Sequence, residues 1–215
     1  MPTRVVDTLL AQFLPKNVKL NPAAYSLVKE VCAAAADKLQ RYVCQYFAEV
    51  IQATLQGDKG SSDEEMDVDQ ARKTKKSKSD DLPSDFVVAH SLIRQINRAV
   101  PDLLLNVVPL LQQELSEQKV EYRKLATETL CAMVAEKVGR GDVAKRYPAV
   151  WSSLLDRCKD MHWGVRLALV RGLPKIWQEH QELAQDIEGM LSAVSKERPL
   201  LTSTDRCAGA LAQRH

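Results

Sequence analysis

The stretch EQKVEYRKLATETL, residues 117–130, returns in altered form as DMHWGVRLALVRGL, residues 160–173, which is 43 positions later. In both copies two apolar residues follow a central arginine at +2 and +3, and a leucine follows it at +7. A period of about 40 to 47 residues, made of two helices, is typical of HEAT and armadillo repeats. The sequence therefore predicts an all-α protein, a HEAT/armadillo-type α-solenoid of paired antiparallel helices. Such solenoids present extended binding surfaces.

An acidic residue precedes the arginine of each copy by six positions, Glu117 before Arg123 and Asp160 before Arg166. We expect the acidic residue in a turn to reach the arginine at the start of a second helix, often that of the neighbouring repeat. Because exposed ion pairs contribute only about 0–1 kcal/mol each, this ladder should orient the repeats more than it stabilises them. Both arginines are therefore interpreted as structural residues.

The composition indicates helices and gives no sign of a membrane or nucleic-acid protein. Hydrophobic residues make up 45% of the 215 and aromatic residues 5%, with only 8 glycines and 9 prolines, which suits helices joined by short turns. The net charge of +2 gives no reason to expect direct, sequence-specific binding to nucleic acid. No apolar run approaches a membrane span, and the N-terminus lacks the apolar core of a signal peptide. Neither membrane insertion nor secretion is expected.

Signatures of catalysis and of metal or cofactor binding are missing from the sequence. It contains no Gly-rich phosphate loop, no G-x-S-x-G elbow and no H-E-x-x-H motif. The five cysteines are odd in number and form no C-x-x-C pair, and the histidines have no ligand spacing with them. We expect no enzyme activity, no catalytic residue, no cofactor and no metal, in a chain that works in a reducing compartment.

Changes in composition divide the chain into four parts. Helical repeats are expected over 1–56 and HEAT repeats over 84–194. Residues 57–83 are charged and nearly free of apolar side chains, so burial cannot offset their ordering entropy and a disordered loop is expected. Residues 195–215 form an atypical C-terminal tail, for which disorder is one option.

Local signals mark where several helices begin. Asn21 before Pro22 opens a helix, and Ser84 after Pro83 is expected to be the N-cap of the next long one. Pro109 lies inside an apolar run and is expected to kink its helix.

The loop carries two regulatory patterns. Ser61 and Ser62 precede three acidic residues, the context that acidophilic kinases prefer, and phosphorylation there would add charge for a basic partner to read. The basic run that follows is a candidate nuclear localisation signal, made of Arg72, Lys73, Lys75, Lys76 and Lys78. The alternative for both patterns is a solvated loop with balanced charge.

Five basic residues are candidates for partner binding. Second helices of HEAT units usually line the inner face of the solenoid, so residues opposite the packed stripes should face partners. From helical phase these residues are Arg94, Arg98, Lys124, Arg171 and Lys175. They are suited to meet an acidic segment of a partner, and the alternative is a solvated basic face.

The repeat region also resembles a known family. The matching features are His90, Pro101, the Leu103-Leu104-Leu105 run, Pro109, the Arg123-x-Leu-Ala core, Trp151 and the string Asp160…His162…Val165-Arg166-Leu167. Together they look like the cohesin-associated sister chromatid cohesion factor of the precocious-dissociation-of-sisters family. The resemblance extends over about residues 20–190.

The resemblance implies a non-enzymatic HEAT-repeat scaffold in the nucleus. Family members bind the kleisin subunit of cohesin and recruit a Wapl-type releasing factor and the cohesin acetyltransferase, and they associate with chromatin through cohesin. Such a protein regulates sister chromatid cohesion during the cell cycle. The alternative is another HEAT-repeat scaffold, such as a transport receptor or a phosphatase scaffold subunit, which shares the fold but not the partner.

Members of that family are much longer than 215 residues, so the chain is expected to be an internal fragment. If no repeat covers its ends, apolar stripes there would be exposed, and the isolated chain would self-associate. The expected stripes are Val5, Val6, Leu9, Leu10 and Phe13 at one end and Ile187, Met190, Leu191 and Val194 at the other.

Overall fold

The computed structural model describes residues 2–59, 82–136 and 143–197, and within these ranges it contains helices and no strand. The α-helices are α1 (Pro2–Ala11), α2 (Pro15–Leu20), α3 (Pro22–Ala34), α4 (Ala36–Lys59), α5 (Ser84–Ala99), α6 (Val108–Glu114), α7 (Val120–Val134), α8 (Val143–Arg146), α9 (Pro148–Leu155), α10 (Trp163–Glu179) and α11 (Ala184–Glu197). Short 3₁₀ turns cover Pro101–Leu104, Asp156–Lys159 and Gln181–Leu183.

The helices form two layers, as the repeat pattern predicts. In one layer α5, α7 and α10 pack side by side in chain order, and we call it the second-helix layer. In the other, α4 packs on the 3₁₀ turn at Pro101–Leu104, and α6 packs on α9. Contacts of α4 with α5 and of α6 with α7 join the layers. The all-α solenoid of paired helices is therefore confirmed.

The core runs between the two layers and continues under the N-terminal helices. Its largest fully buried side chains include Phe13, Phe47 and Phe86, and burial at roughly 25 cal/mol per Å² of apolar surface supplies most of the stabilisation. The expected N-terminal exposed stripe is mostly wrong, because α1 packs on α4, although Val5 is exposed. In the C-terminal stripe Ile187 is buried and Leu191 is exposed. The stripe residues that lie in the core are Val6, Leu10, Phe13 and Ile187.

Helix starts agree with the sequence in one case and differ in two. The Asn21 side chain accepts a hydrogen bond from the Ala24 backbone N–H at 3.0 Å and caps α3, as expected. Ser84 is already helical, and Pro83 occupies the N-cap position without a side-chain hydrogen bond. Pro109 lies in the first turn of α6, where its missing N–H costs nothing, so a 3₁₀ turn and a fresh helix replace the expected kink.

The expected part boundaries fall short of the helix ends. Helix α4 continues to Lys59 and α11 to Glu197, beyond the boundaries at 56 and 194. Gly57 weakens a helix by about 1 kcal/mol but does not forbid one, and the chain continues through it. Residues 60–81, 137–142 and 198–215 are outside the described residues, and so are Ser61, Ser62 and the basic run of Arg72, Lys73, Lys75, Lys76 and Lys78.

Candidate functional site

An ion pair between neighbouring repeats fixes the register of α7 against α10. Arg123, in the first turns of α7, donates from Nε to Oδ2 of Asp160 at 2.9 Å and from Nη2 to Oδ1 at 3.0 Å. Its Nη1 donates to the backbone carbonyls of Glu117 and Gln118 at 2.8 and 2.7 Å. One rung of the predicted ladder between a turn and the neighbouring repeat is thus present, and Arg123 is a structural residue.

The pair is more buried than the sequence suggested. The Arg123 and Asp160 side chains are 13% and 3% exposed, so the estimate of about 0–1 kcal/mol for an exposed pair does not apply. Burial alone would raise the pKa of Asp160, but hydrogen bonds from Arg123 and from the His162 backbone N–H, together with the charges of Arg123 and Arg157, hold that pKa below its ordinary value. Asp160 is therefore kept ionised.

Arg166 repeats the backbone half of this arrangement one unit further along the chain. Its Nη1 donates to the carbonyls of Asp160 at 2.6 Å and Met161 at 3.0 Å, as Arg123 does in its own turn. His162 adds a cap, since its Nδ1 accepts from the Gly164 N–H at 3.1 Å. Arg123, Arg166 and His162 therefore use their side chains to hydrogen-bond backbone groups of the turns.

A buried polar cluster links three helices, two of which belong to the second-helix layer. Nδ1 of His90 lies 3.0 Å from Oγ1 of Thr129, and Nε2 of His90 lies 3.0 Å from Oε2 of Glu114. All three residues are buried. Burial raises the pKa of Glu114, while the neighbouring His90 opposes this effect. The cluster joins α5, α6 and α7 in the interior.

The structure brings three of the five predicted binding residues to one groove. Arg98, Arg171 and Lys175 line a groove of about 380 Å³ across the second-helix layer. Lys124 is exposed on α7 one turn before Glu128, which also lines the groove. Arg94 is half-buried instead, with Nη1 3.4 Å from Thr129 Oγ1, and burial lowers the pKa of its guanidinium. Arg94 is thus the least accessible of the five.

Small residues make the floor of this groove. Cys131, Ala132, Ala135, Ala168 and Gly172 line it. A Cβ added at Gly172 would lie 2.5 Å from the Cβ of Cys131, so only glycine permits this approach of α10 to α7. Burial raises the pKa of the Cys131 thiol to about 12, so the floor presents a neutral group there.

Glu136, which the sequence analysis did not select, joins two of the cations. Its Oε1 accepts from Arg98 Nε and from Lys175 Nζ, each at 3.0 Å. The hydrogen bond from Lys175 lowers the pKa of Glu136 and Arg98 acts in the same direction, although burial opposes them. Glu136 is separated from Arg98 and Lys175 by 38 and 39 residues in the sequence, close to the 37 residues between Arg123 and Asp160. This repeat spacing is the sequence feature from which the contacts of Glu136 could have been predicted.

An apolar stripe on α10 is exposed. Its members Trp163, Val170 and Trp177 recur every seven residues and are all exposed. The positions 43 residues earlier on α7 include Thr127 and Val134, which are buried. The stripe is therefore the face on which α10 would receive another second helix, as α7 receives α10.

The described residues contain neither a candidate metal site nor a helix suited to span a membrane. Within residues 2–59, 82–136 and 143–197, no group of three or more His, Cys, Asp or Glu side chains is placed to hold a metal ion. In those same ranges no helix has both the length and the apolar character needed to cross a membrane.

Comparison with known sequences finds a matching family and several relatives. The model of the family described as sister chromatid cohesion protein PDS5 matches residues 1–196. The chain is 27% identical over 183 residues to sister chromatid cohesion protein pds5 of Schizosaccharomyces pombe, covering 85% of this chain and 13% of that protein. It is 25% identical over 191 residues to human sister chromatid cohesion protein PDS5 homolog B, covering 89% of this chain and 11% of the relative. The chain therefore spans only about an eighth of these relatives.

A solved structure shares the fold. A chain in the structure of the Pds5-Scc1 complex superposes with a TM-score of 0.67 at 17% sequence identity, covering 89% of this chain and 27% of that one. The likeness supports the helical-repeat architecture. The matches to sister chromatid cohesion proteins favour that family over a transport receptor or a phosphatase scaffold subunit.

Proposed function

The chain belongs to the family of sister chromatid cohesion protein PDS5, and from this premise we propose that it acts as a non-enzymatic scaffold that regulates cohesin. Its partners in this proposal are the kleisin subunit of cohesin, a Wapl-type releasing factor and the cohesin acetyltransferase. Chromatin association is indirect, through cohesin, and the protein works in the nucleus. The similar fold in the Pds5-Scc1 complex supports a kleisin as the first partner to test.

The observation that carries this proposal is the cationic surface of the second-helix layer. Arg98, Lys124, Arg171 and Lys175 are exposed on three helices that pack side by side. The Arg123–Asp160 pair holds α7 and α10 in register, so the cations have fixed relative positions. A fixed array of charges on an extended surface suits recognition of a protein segment more than chemistry on a small substrate.

We assign regulatory roles to the charged segment as part of the same proposal. Ser61 and Ser62 are phosphorylation sites, and the basic run at Arg72, Lys73, Lys75, Lys76 and Lys78 is the nuclear localisation signal. The support for both roles is the order of charges in the sequence, acidic before basic.

The test is binding of the purified 215-residue chain to a purified cohesin kleisin subunit. Charge reversal by Lys124→Glu with Arg171→Glu should weaken kleisin capture at least about tenfold, because two attractive contacts become repulsive. The melting temperature should not change, because both side chains are exposed. Lys16→Glu with Lys19→Glu on α2 makes the same charge change elsewhere and should leave binding unchanged.

Two results would contradict the proposal. If the wild-type chain binds neither the kleisin subunit nor the Wapl-type factor nor the acetyltransferase, the function is wrong. If the Lys124 and Arg171 variant binds normally but melts earlier, these residues belong to the packing rather than to a binding surface.

A further inference from the structure

Resting on the proposed function, we propose that the groove lined by Arg98, Arg171 and Lys175 binds an extended acidic segment of a partner, with carboxylates at alternate positions. In the free protein Glu136 occupies part of this cationic site and competes with the incoming segment. Three features support this proposal: the spacing of the cations at the rim of the groove (Arg98, Arg171 and Lys175), the small residues of its floor and the hydrogen bonds of Glu136.

The spacing of the rim fits an extended chain. Arg171 and Lys175 are one helical turn apart on α10, so their Cβ atoms are about 5–6 Å apart. In an extended segment, side chains two residues apart point the same way and are about 6.6–6.8 Å apart. Carboxylates at alternate positions therefore reach both cations together, whereas adjacent carboxylates point to opposite sides.

The size of the groove also favours an extended segment. Its volume is about 380 Å³, near the lower end of the range for ligand pockets. A helix with its side chains is about 10–12 Å across, so it needs more room than an extended segment does. The floor carries no side chain longer than that of Cys131, and its other members are alanines and Gly172, so a peptide backbone can approach closely.

Glu136 shows which chemistry the site accepts. One carboxylate oxygen, Oε1, already receives hydrogen bonds from Arg98 Nε and Lys175 Nζ at 3.0 Å. Arg98 and Lys175 are 51% and 53% exposed, and ion pairs this open are weak enough to exchange with another carboxylate. Within the residues that the structure describes, Arg171 forms no ion pair, so it is available for a second carboxylate of the same segment.

The charges of the groove favour an acidic segment over a neutral one. Its lining contains three cations and one carboxylate, that of Glu128. The Glu136 carboxylate lies outside this lining and pairs with Arg98 and Lys175. Since Glu136 is already paired with two of the cations, its removal should expose them to the partner. Glu128 has a Coulomb interaction with Arg94 instead, which makes it a matched control for a change in net charge.

The test is fluorescence anisotropy with the 215-residue chain and a labelled peptide of alternating glutamate and alanine. Arg171→Glu with Lys175→Glu should weaken binding at least about tenfold, and Glu136→Gln should tighten it about three- to tenfold. Glu128→Gln should tighten it less than about twofold, and Lys16→Glu with Lys19→Glu should have no effect. A peptide with glutamine in place of glutamate should not bind, and one with its glutamates in a single block should bind more weakly.

Several outcomes would overturn the inference. Equal tightening by Glu128→Gln and Glu136→Gln would mean that only net charge matters and that Glu136 is not a competitor. Equal weakening by the α2 control pair would place the binding outside the groove. Should deletion of residues 60–81 tighten binding while Glu136→Gln does not, the acidic run of this chain would be the competitor instead.

Failure of this inference is distinguishable from failure of the proposed function. If the chain binds the kleisin subunit but no acidic peptide, the groove assignment is wrong and the function stands. If the acidic peptide binds as described but none of the three cohesin partners does, the groove assignment stands and the function is wrong.

Discussion

Asp160 accepts hydrogen bonds from both Nε and Nη2 of Arg123, at 2.9 and 3.0 Å, across the boundary between two repeats. The same carboxylate accepts from the His162 N–H at 2.9 Å, which ties it to the start of α10. One acidic side chain therefore orders its own turn and holds the neighbouring second helix. The positions of Arg98, Arg171 and Lys175 across the groove depend on this alignment of α7 with α10.

Replacing Asp160 by asparagine should destabilise the protein. The variant Asp160→Asn keeps the shape but leaves the mostly buried Arg123 guanidinium without its counter-charge, so we expect a loss of about 2–3 kcal/mol in the free energy of unfolding. Urea unfolding measures the difference. Asp156→Asn, at an exposed position in the same turn, should change stability by less than about 0.5 kcal/mol. Equal effects of the two variants would show that the ladder does not stabilise the repeats.

The stabilisation by Asp160 should depend on pH. Because its pKa is lowered in the folded protein, its contribution is complete above the unfolded value of about 3.9 and is lost as the pH falls through the lower folded value. The difference in unfolding free energy between wild type and Asp160→Asn should therefore be constant from about pH 7 to 5 and shrink at lower pH. A difference that grows on acidification would contradict this assignment.

Gly172 should be intolerant of alanine. In Gly172→Ala the new Cβ would meet the Cys131 Cβ at 2.5 Å, and relief of the clash should push α10 from α7 at a cost of about 1–3 kcal/mol. Gly189→Ala on α11 is the matched control, because no atom lies within 4 Å of the added Cβ, and it should stabilise the helix by about 0.5–1 kcal/mol. Thermal melts of both variants test this. A neutral Gly172→Ala would mean that the two helices separate easily.

The basic run should direct nuclear import. In a reporter fusion of the full chain, replacement of Lys73, Lys75 and Lys76 by alanine should reduce the nuclear fraction, because import receptors recognise clustered positive charge. Alanine at Lys16, Lys19 and Lys29 removes the same number of charges elsewhere. Unaltered nuclear accumulation after the first change would eliminate the localisation role.

The exposed stripe on α10 should make the isolated chain self-associate. Trp163, Val170 and Trp177 expose three large apolar side chains on one side of α10, and exposed apolar surface favours association. Trp163→Ser with Trp177→Ser should shift the sedimenting species toward monomer without loss of helicity. A wild-type chain that is already monomeric at about 50 µM would contradict the prediction.

Much of the architecture was readable from the sequence because each helix carries a periodic apolar stripe. The 43-residue recurrence around Arg123 and Arg166 predicted the paired helices, and the spacing of the acidic residues predicted the contact of Arg123 with the next repeat. Predictions of helix starts and kinks from a single proline or a single capping residue were wrong at two positions. Pro109 and Ser84 each suit more than one position at a helix start, and the surrounding packing decides between them.

The sequence by itself determined the fold class, the repeat register and the helices that bear the basic residues. Only the tertiary structure decided that Arg98, Arg171 and Lys175 share a groove, that Arg94 is half-buried, and that Glu136 bridges two of the cations. Periodicity tells which face of a helix is packed, but it does not give the separation or angle of neighbouring helices. Those depend on side-chain sizes at the contact, here Gly172 against Cys131, and they set which charges from different repeats come within reach.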